Sequence, residues 1–311
     1  MVETLGKKEI EMHEFKPGVR EAVGLLIGLI GSSGSGKTMS AMRLATGIVG
    51  PGNKFAIIDT ESRRALHYAD QFQFDHCELS APFRPTSYAE TIKTADTAGY
   101  KAIVVDSVSH EWAGEGGILD WQEEELNRMA GNDYQKREAC KMAAWIKPKM
   151  SHKQMIQRLL QSKAHLILCF RAEEKIKMAK DATGKMQIIP QGWQPVCSKE
   201  MPYELTVSFL LHSDKPGIGQ PIKLQEQHKA IFPTGKLLDE SSGKAVAEWA
   251  KGGVKTTESS SIPPPEPGQQ EKKLIKKHDK GMAVLCPDID GLRPKTDCEE
   301  CNLLAECPAY E

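Results

Sequence analysis

Residues Val23 to Thr38, VGLLIGLIGSSGSGKT, run from an unbroken apolar stretch straight into a glycine-rich turn that closes on Lys-Thr. A short apolar run bounded by a turn signal predicts a strand buried on both faces. Gly31, Gly36, Lys37 and Thr38 satisfy G-x-x-x-x-G-K-[ST], the P-loop pattern, with Gly34 as an additional glycine inside the turn. Backbone N–H groups along Gly31, Ser32, Ser33, Gly34, Ser35 and Gly36 converge on phosphate oxygens only through dihedrals that a Cβ obstructs. Lys37 then reaches the β- and γ-phosphates and Thr38 ligates Mg²⁺. The segment TMSAMRLATGIV continues as a helix whose positive end faces the same anion. The motif predicts an α/β chain that binds a nucleotide with Mg²⁺.

Further strands follow. After the turn Gly50-Pro51-Gly52-Asn53, FAIIDTE reads as a strand ending in Asp59 and Glu61. Function in α/β sheets collects at the carboxyl ends of strands, which places Glu61 to orient or deprotonate a water at the γ-phosphate. The plainer alternative makes Asp59 a cap of the following turn and Glu61 a solvated acid. Ser87 to Gly99 reads as a helix, and KAIVVDSVSH as a third strand that leads into Asp106, a Walker B carboxylate able to hold a water of the Mg²⁺ shell across from Thr38. The interval between Thr38 and Asp106 has room for one strand and two helices, which suits a doubly wound sheet with the two Walker strands side by side.

From Ser109 to Ala164 the pattern is helical, with Met150, Met155 and Leu159 among the positions assigned to a sheet-facing side. Lys147, Lys149, Lys153, Arg158 and Lys163 share one segment without an acid, either a solvated helix face or a surface that tracks phosphates. HLILCF is the next strand, with Arg171 at its end. EEKIKMAKDATGKMQIIPQGW then reads as a hairpin joined at Asp181 to Gly184 and carrying Lys175, Lys177, Lys180 and Lys185, with Trp193 just beyond. YELTVSFLL and IKLQEQHKAIF read as closing strands and KAVAEWA as a last helix.

The run IIDTES, followed later by IVVDSV, resembles the RecA recombinase family. Within it the chain looks most like short phage-encoded ATP-binding proteins with a RecA-like core, some of which act in single-strand annealing and recombination. The resemblance spans roughly Val19 to Phe232. It implies a mostly parallel twisted sheet with flanking helices, Lys37 and Thr38 on phosphate and metal, Glu61 as the residue that activates water, and Asp106 serving Mg²⁺. RecA proteins place a γ-phosphate-sensing glutamine near the position of Phe170-Arg171, so Arg171 would be the sensor here. The hairpin falls where RecA has its second DNA loop, which would lay its lysines along phosphates and offer Trp193 for base stacking. ATP hydrolysis stimulated by single-stranded DNA, a homo-oligomer, and a phage recombination or replication protein as partner are the corresponding expectations.

With Lys+Arg 41 against Asp+Glu 42, the net charge of −1 leaves any nucleic-acid contact to a local basic patch. The mixed-charge start MVETLGKKEIEMHEF is unlike a secretory signal, and no apolar run approaches the ~20 residues of a membrane span, so the expected location is the cytoplasm. From Lys251 to Lys280 the composition turns to Gly, Ser, Thr and Pro, a linker too polar to bury a core. The expected domains are therefore an ATPase domain over 1–250, a flexible linker over 251–280, and a module over 281–311. Of 8 cysteines, Cys286, Cys298, Cys301 and Cys307 crowd this tail with spacing C-x11-C-x2-C-x5-C, which makes a Cys₄ metal site feasible. Its C-x2-C-x5-C-P ending resembles the cluster-binding tail of some phage-type and CRISPR-associated nucleases, and either [4Fe–4S] or Zn²⁺ fits. Seven acids and two basic residues from Gly281 onward suit protein docking better than phosphate. The rival readings are a nucleotide-dependent switch or loader that docks a replication protein through this tail, and, third, a small-molecule kinase.

Overall fold

In the computed structural model the described residues are 24–180 and 185–252, with 283–286 and 291–294 as backbone strands, and the chain divides into two compact units, Met1–Lys255 and Thr256–Glu311. The leader at 1–21, the linker beyond residue 252, and Cys298, Cys301 and Cys307 lie outside the described residues. In the second unit β9 (Ala283–Cys286) pairs antiparallel with β10 (Gly291–Pro294), so Cys286 ends a strand.

The first unit is a sheet with helices on both faces. Its strands are β1 (Leu26–Gly31), β2 (Phe55–Asp59), β3 (Phe74–Glu78), β4 (Ala102–Asp106), β5 (His165–Lys180), β6 (Met186–Pro195), β7 (Val207–Leu211) and β8 (Gly219–Lys223). They run in the order β3-β2-β4-β5-β1-β7-β8, with β6 joined to the outer part of β5. Every pair from β3 to β7 is parallel, and β8 is antiparallel to β7. Alternation along the strands builds a core on each face. Ile27, Leu29, Ile57, Val104 and Ile167 pack with Met42, Leu44 and Ile48 of α1 (Lys37–Val49) and Val246 of α8 (Glu240–Ala250). Leu26, Ile30, Ile58, Ile103 and Leu166 pack on the other face with Ile92 of α2 (Pro85–Thr97) and Met155 and Leu159 of α6 (Ile146–Leu160). Each such side chain contributes about 1.5–3 kcal/mol of burial, so a doubly covered sheet is well supported.

Helices α1 and α8 cross at glycines. A Cβ on Gly47 would lie 2.1 Å from Glu240 O, and one on Gly243 would lie 2.1 Å from Leu44 O. Only a missing side chain permits this approach.

Four sequence expectations need correction. The Walker strands β1 and β4 are not neighbours, because β5 lies between them and pairs with both. The Thr38–Asp106 interval holds two strands, since FDHCE forms β3; it is a half-exposed edge strand and lacks the apolar run that marks β2 and β4. The α6 face that meets the sheet is Pro148, Ser151, His152, Met155, Ile156 and Leu159, and Met150 is exposed. IKLQEQHKAIF is strand only to Lys223; the chain then makes a 3₁₀ turn that buries His228 edge-on against Trp249.

The acid-free basic segment finds its acids on neighbouring helices. Lys147 pairs with Glu125 at 3.1 Å on α4 (Ile118–Ala130), Arg158 pairs with Glu90 on α2, and Lys149 lies over the Trp145 ring. These contacts favour the solvated-face alternative for that helix. Lys147 and Arg158 thereby tie α6 to α4 and α2.

Candidate nucleotide site

β1 ends at Gly31, where no larger residue fits: an added Cβ would lie 2.4 Å from Ser35 Oγ and 2.6 Å from Leu211 O. Gly34 and Gly36 then take φ of 76° and 84°, left-handed values that favour glycine, and turn the loop back toward α1. Ser35 is buried and donates its hydroxyl to Ser32 O at 2.8 Å, which fixes the loop from inside. α1 has no side-chain cap and no acid in its first turn, so its N-terminal amides face outward to an anion. Lys37 Nζ is held by Gly31 O and Ser32 O, each at 2.8 Å, directly over this loop.

Thr38 Oγ1, in the first turn of α1, and Asp106 Oδ2, at the end of β4, are 2.5 Å apart. Burial raises the Asp106 carboxyl above its ordinary range, while the Thr38 hydrogen bond and the Lys37 charge pull it back. A buried carboxylate beside a hydroxyl is an all-oxygen donor pair of the kind Mg²⁺ prefers, and a cation there would supply the countercharge that burial has removed.

The third wall is Glu61. Asp59 turns the chain by accepting from the Glu61 amide at 2.7 Å and the Ala65 amide at 2.9 Å, so it is the turn cap of the plainer alternative. Glu61 itself is no solvated acid. Its side chain is 16% exposed, and Arg171 Nε and Nη2 both donate to its Oε1, with Arg64 at 3.6 Å from Oε2. Ser62 and Arg63 follow at φ of 57° and 66°, unusual for residues with a Cβ, and this strained pair aims Arg64 back at the carboxylate. Together the P-loop, Glu61, Asp106 and Arg171 line a cleft of about 550 Å³. The cleft also exposes Arg64 and Tyr68, which the sequence reading passed over. The signal for Arg64 was the basic pair Arg63-Arg64, two residues past Glu61.

A second cleft of about 510 Å³ opens on the other side of the Glu61–Arg171 pair and is lined by His110, Glu78 and Phe83. His110 was also missed. Its Nδ1 meets Thr60 Oγ1 at 2.7 Å, its ring stacks on Phe83 at 5.0 Å, and burial together with the Arg171 charge pushes its pKa below the usual imidazole value.

The lysines assigned to DNA lie elsewhere. HLILCF and EEKIKMAK form one strand, β5, which leaves the sheet past Arg171 and pairs with β6 from Ala172↔Pro195 to Lys180↔Met186. Glu174 pairs with Trp193, Ile176 with Pro190 and Met178 with Ile188, so these residues share one face, and Lys175 and Lys177 fall on the other. Trp193 is therefore not on the lysine face, and a strand held on Lys175 and Lys177 cannot also stack on it. The exposed Ile176, Met178, Ile188 and Trp193 make the opposite face apolar. Lys175 is 3.4 Å from Glu173. Lys185 lies just before β6, and the Lys180 side chain and residues 181–184 lie outside the described residues.

A mostly parallel mixed sheet with helices on both faces, a P-loop at the end of β1 and a carboxylate at the end of β4 define a P-loop nucleotide-binding domain. The AAA domain family matches residues 24–231, more than half of the chain, and the chain belongs to that family. AAA-type domains bind ATP, usually with Mg²⁺, and carry ATPase activity. No curated protein matches the sequence. Among the described residues no helix is long and apolar enough to cross a membrane, and no group of three or more His, Cys, Asp or Glu is arranged to hold a metal ion.

Proposed function

We propose that the protein is a RecA-like ATPase that acts on single-stranded DNA in recombination or annealing. The observation that carries the reading is the continuity of β5, which brings Arg171 to the nucleotide cleft and then extends as the arm that holds Lys175 and Lys177. In this reading Lys37 and the loop amides hold the phosphates. Thr38 and Asp106 would hold Mg²⁺, which would supply charge neutralisation for the phosphates. Glu61 takes a proton from the attacking water as the new oxygen–phosphorus bond forms and the bond to the leaving phosphate breaks. Arg171 stabilises the charge that develops on the transferred group.

The test is a pair of measurements on the full chain. Single-stranded DNA should bind in the presence of ATP with a log–log salt slope of about −0.7 per phosphate neutralised, and should raise turnover. Lys175, Lys177 and Lys185 changed to Ala together should make that slope shallower. Turnover unmoved by saturating DNA would remove the reading.

The apolar face of the hairpin favours a second reading, a nucleotide-dependent switch or loader. Exposed Ile176, Met178, Ile188 and Trp193 suit contact with protein, either another copy of the chain or a replication partner. ATP-dependent association with neither DNA nor salt sensitivity would favour it.

A further inference from the structure

Three consecutive residues of α3 (Ser109–Ala113), the short helix after β4, hold three different parts of the molecule. The Ser109 hydroxyl accepts from the Arg171 amide at 2.9 Å, His110 meets Thr60 at 2.7 Å, and Glu111 Oε1 meets His152 Nδ1 at 2.8 Å. His152 lies on α6, and its Nε2 is 2.8 Å from Ser198 Oγ. Ser198 follows closely on β6, where the returning arm of the hairpin ends. The Val196 amide donates to Arg171 O at 2.8 Å and closes the root. The outgoing arm is thus held by Ser109 directly, and the returning arm by Glu111 through His152 and Ser198.

Donor and acceptor chemistry sets the direction of this chain. Ser198 Oγ accepts from the Met201 amide at 3.2 Å and still has a proton to give; an ionised Glu111 can only accept at Nδ1, so in the neutral ring Nε2 is the acceptor of that proton. Nδ1 then carries the imidazole proton and donates to the Glu111 carboxylate. Carboxylate, imidazole and hydroxyl in this order are the parts of a nucleophilic triad. Glu111, His152 and Ser198 are only 1%, 4% and 3% exposed, however, so no substrate reaches the hydroxyl and the three groups hold and do not react. Stability alone is a weak reason for such a network, because apolar replacements of buried polar groups are often neutral or stabilising.

We propose that Glu111, His152 and Ser198 are positioning residues that tie the returning root of the hairpin to the segment after the Walker B strand, so that the hairpin moves with the nucleotide cleft. The inference rests on the reading that the hairpin answers to nucleotide; it does not depend on what the hairpin grips.

The experiment uses the full chain with ADP and with a non-hydrolysable ATP analogue. It reads Trp193 as the emission difference between the parent and Trp193→Phe. Nucleotide changes this signal in the parent. Ser198→Ala reduces the change by about fivefold or more, while the KM for ATP stays within about twofold of the parent. Ser198→Thr keeps the hydroxyl and the response, and matched melting curves show that both variants fold. Should Ser198→Ala fail to fold, His152→Gln is read in the same way. A Ser198→Ala protein with the full response, or a parent with none, overturns the proposal. A parent whose response is lost in Ser198→Ala but which binds no single-stranded DNA supports the proposal and removes the DNA reading. DNA-stimulated turnover with an undiminished Ser198→Ala response does the reverse.

Discussion

Arg171 grips Glu61 through one oxygen, with Nε at 3.0 Å and Nη2 at 2.7 Å from Oε1, and this pair is the shared wall of two clefts. The residue assigned to water activation is therefore oriented by the residue assigned to sense phosphate. Glu61→Gln should keep ATP affinity and lower turnover by ~10²–10⁴-fold. Single-turnover hydrolysis alongside nucleotide binding checks this, and loss of binding would assign Glu61 to structure alone.

Arg171→Ala removes both the orienting guanidinium and its charge. Turnover should fall by about 10²–10³-fold, with ADP affinity nearly unchanged, because ADP lacks the γ-phosphate that Arg171 would face in the proposed reading. Equal losses for ADP and ATP binding would show that Arg171 holds the cleft walls and does not sense the terminal phosphate.

Lys37→Ala leaves Gly31 O and Ser32 O without their ammonium and the phosphates without their dedicated cation. Affinity for ATP should drop by about 10- to 100-fold, the weight of a hydrogen bond to a charged group. Hydrolysis at the parent rate would dismiss the P-loop assignment.

His165 opens β5 and accepts the Leu25 amide through Nδ1 at 3.1 Å, and burial pushes its pKa from 6.5 down to about 4. The unfolded chain binds this proton more readily than the folded one. Stability tied to neutral His165 is therefore complete above about pH 6.5 and is lost as pH falls toward 4. Denaturant titrations should show the parent losing up to about 3 kcal/mol more than His165→Asn across that window. Parallel pH profiles would place the acid sensitivity elsewhere.

The tail thiols yield a test that needs no nucleotide. Protein prepared without oxygen should be brown if Cys286, Cys298, Cys301 and Cys307 hold an iron–sulfur cluster, because thiolate-to-iron charge transfer absorbs visible light, and colourless if they hold zinc. Metal analysis of the full chain decides between the two, and metal-free protein from both preparations would dismiss the site.

Motifs that state their chemistry locally were legible in the sequence. Gly31 to Thr38 needs only its own spacing to announce a phosphate loop, and the apolar runs before Asp59 and Asp106 announce buried strands. What the sequence hid depends on long-range placement. β3 is half exposed, so no apolar run marks it. The insertion of β5 between the Walker strands is set by crossover connections that leave no local trace. Lys175 and Trp193 look like one surface when read in order, and only the cross-strand register, which sets Trp193 opposite Glu174, puts them on opposite faces. His110 and His152 carry no motif; their meaning comes from Thr60, Glu111 and Ser198, which are distant in sequence.

The single strand β5 also sets a mechanical ratio. Its inner half is clamped between β1 and β4, and from Ala172 the same backbone continues to Lys180 with β6 as its one ladder partner among the described residues. At about 3.3 Å per residue the outer arm reaches about 30 Å. A tilt of about 5° at Arg171, smaller than the twist between adjacent strands, would carry the tip through about 3 Å. An adjustment too slight to disturb the packed sheet is thereby enlarged into a displacement that a bound strand or protein would register.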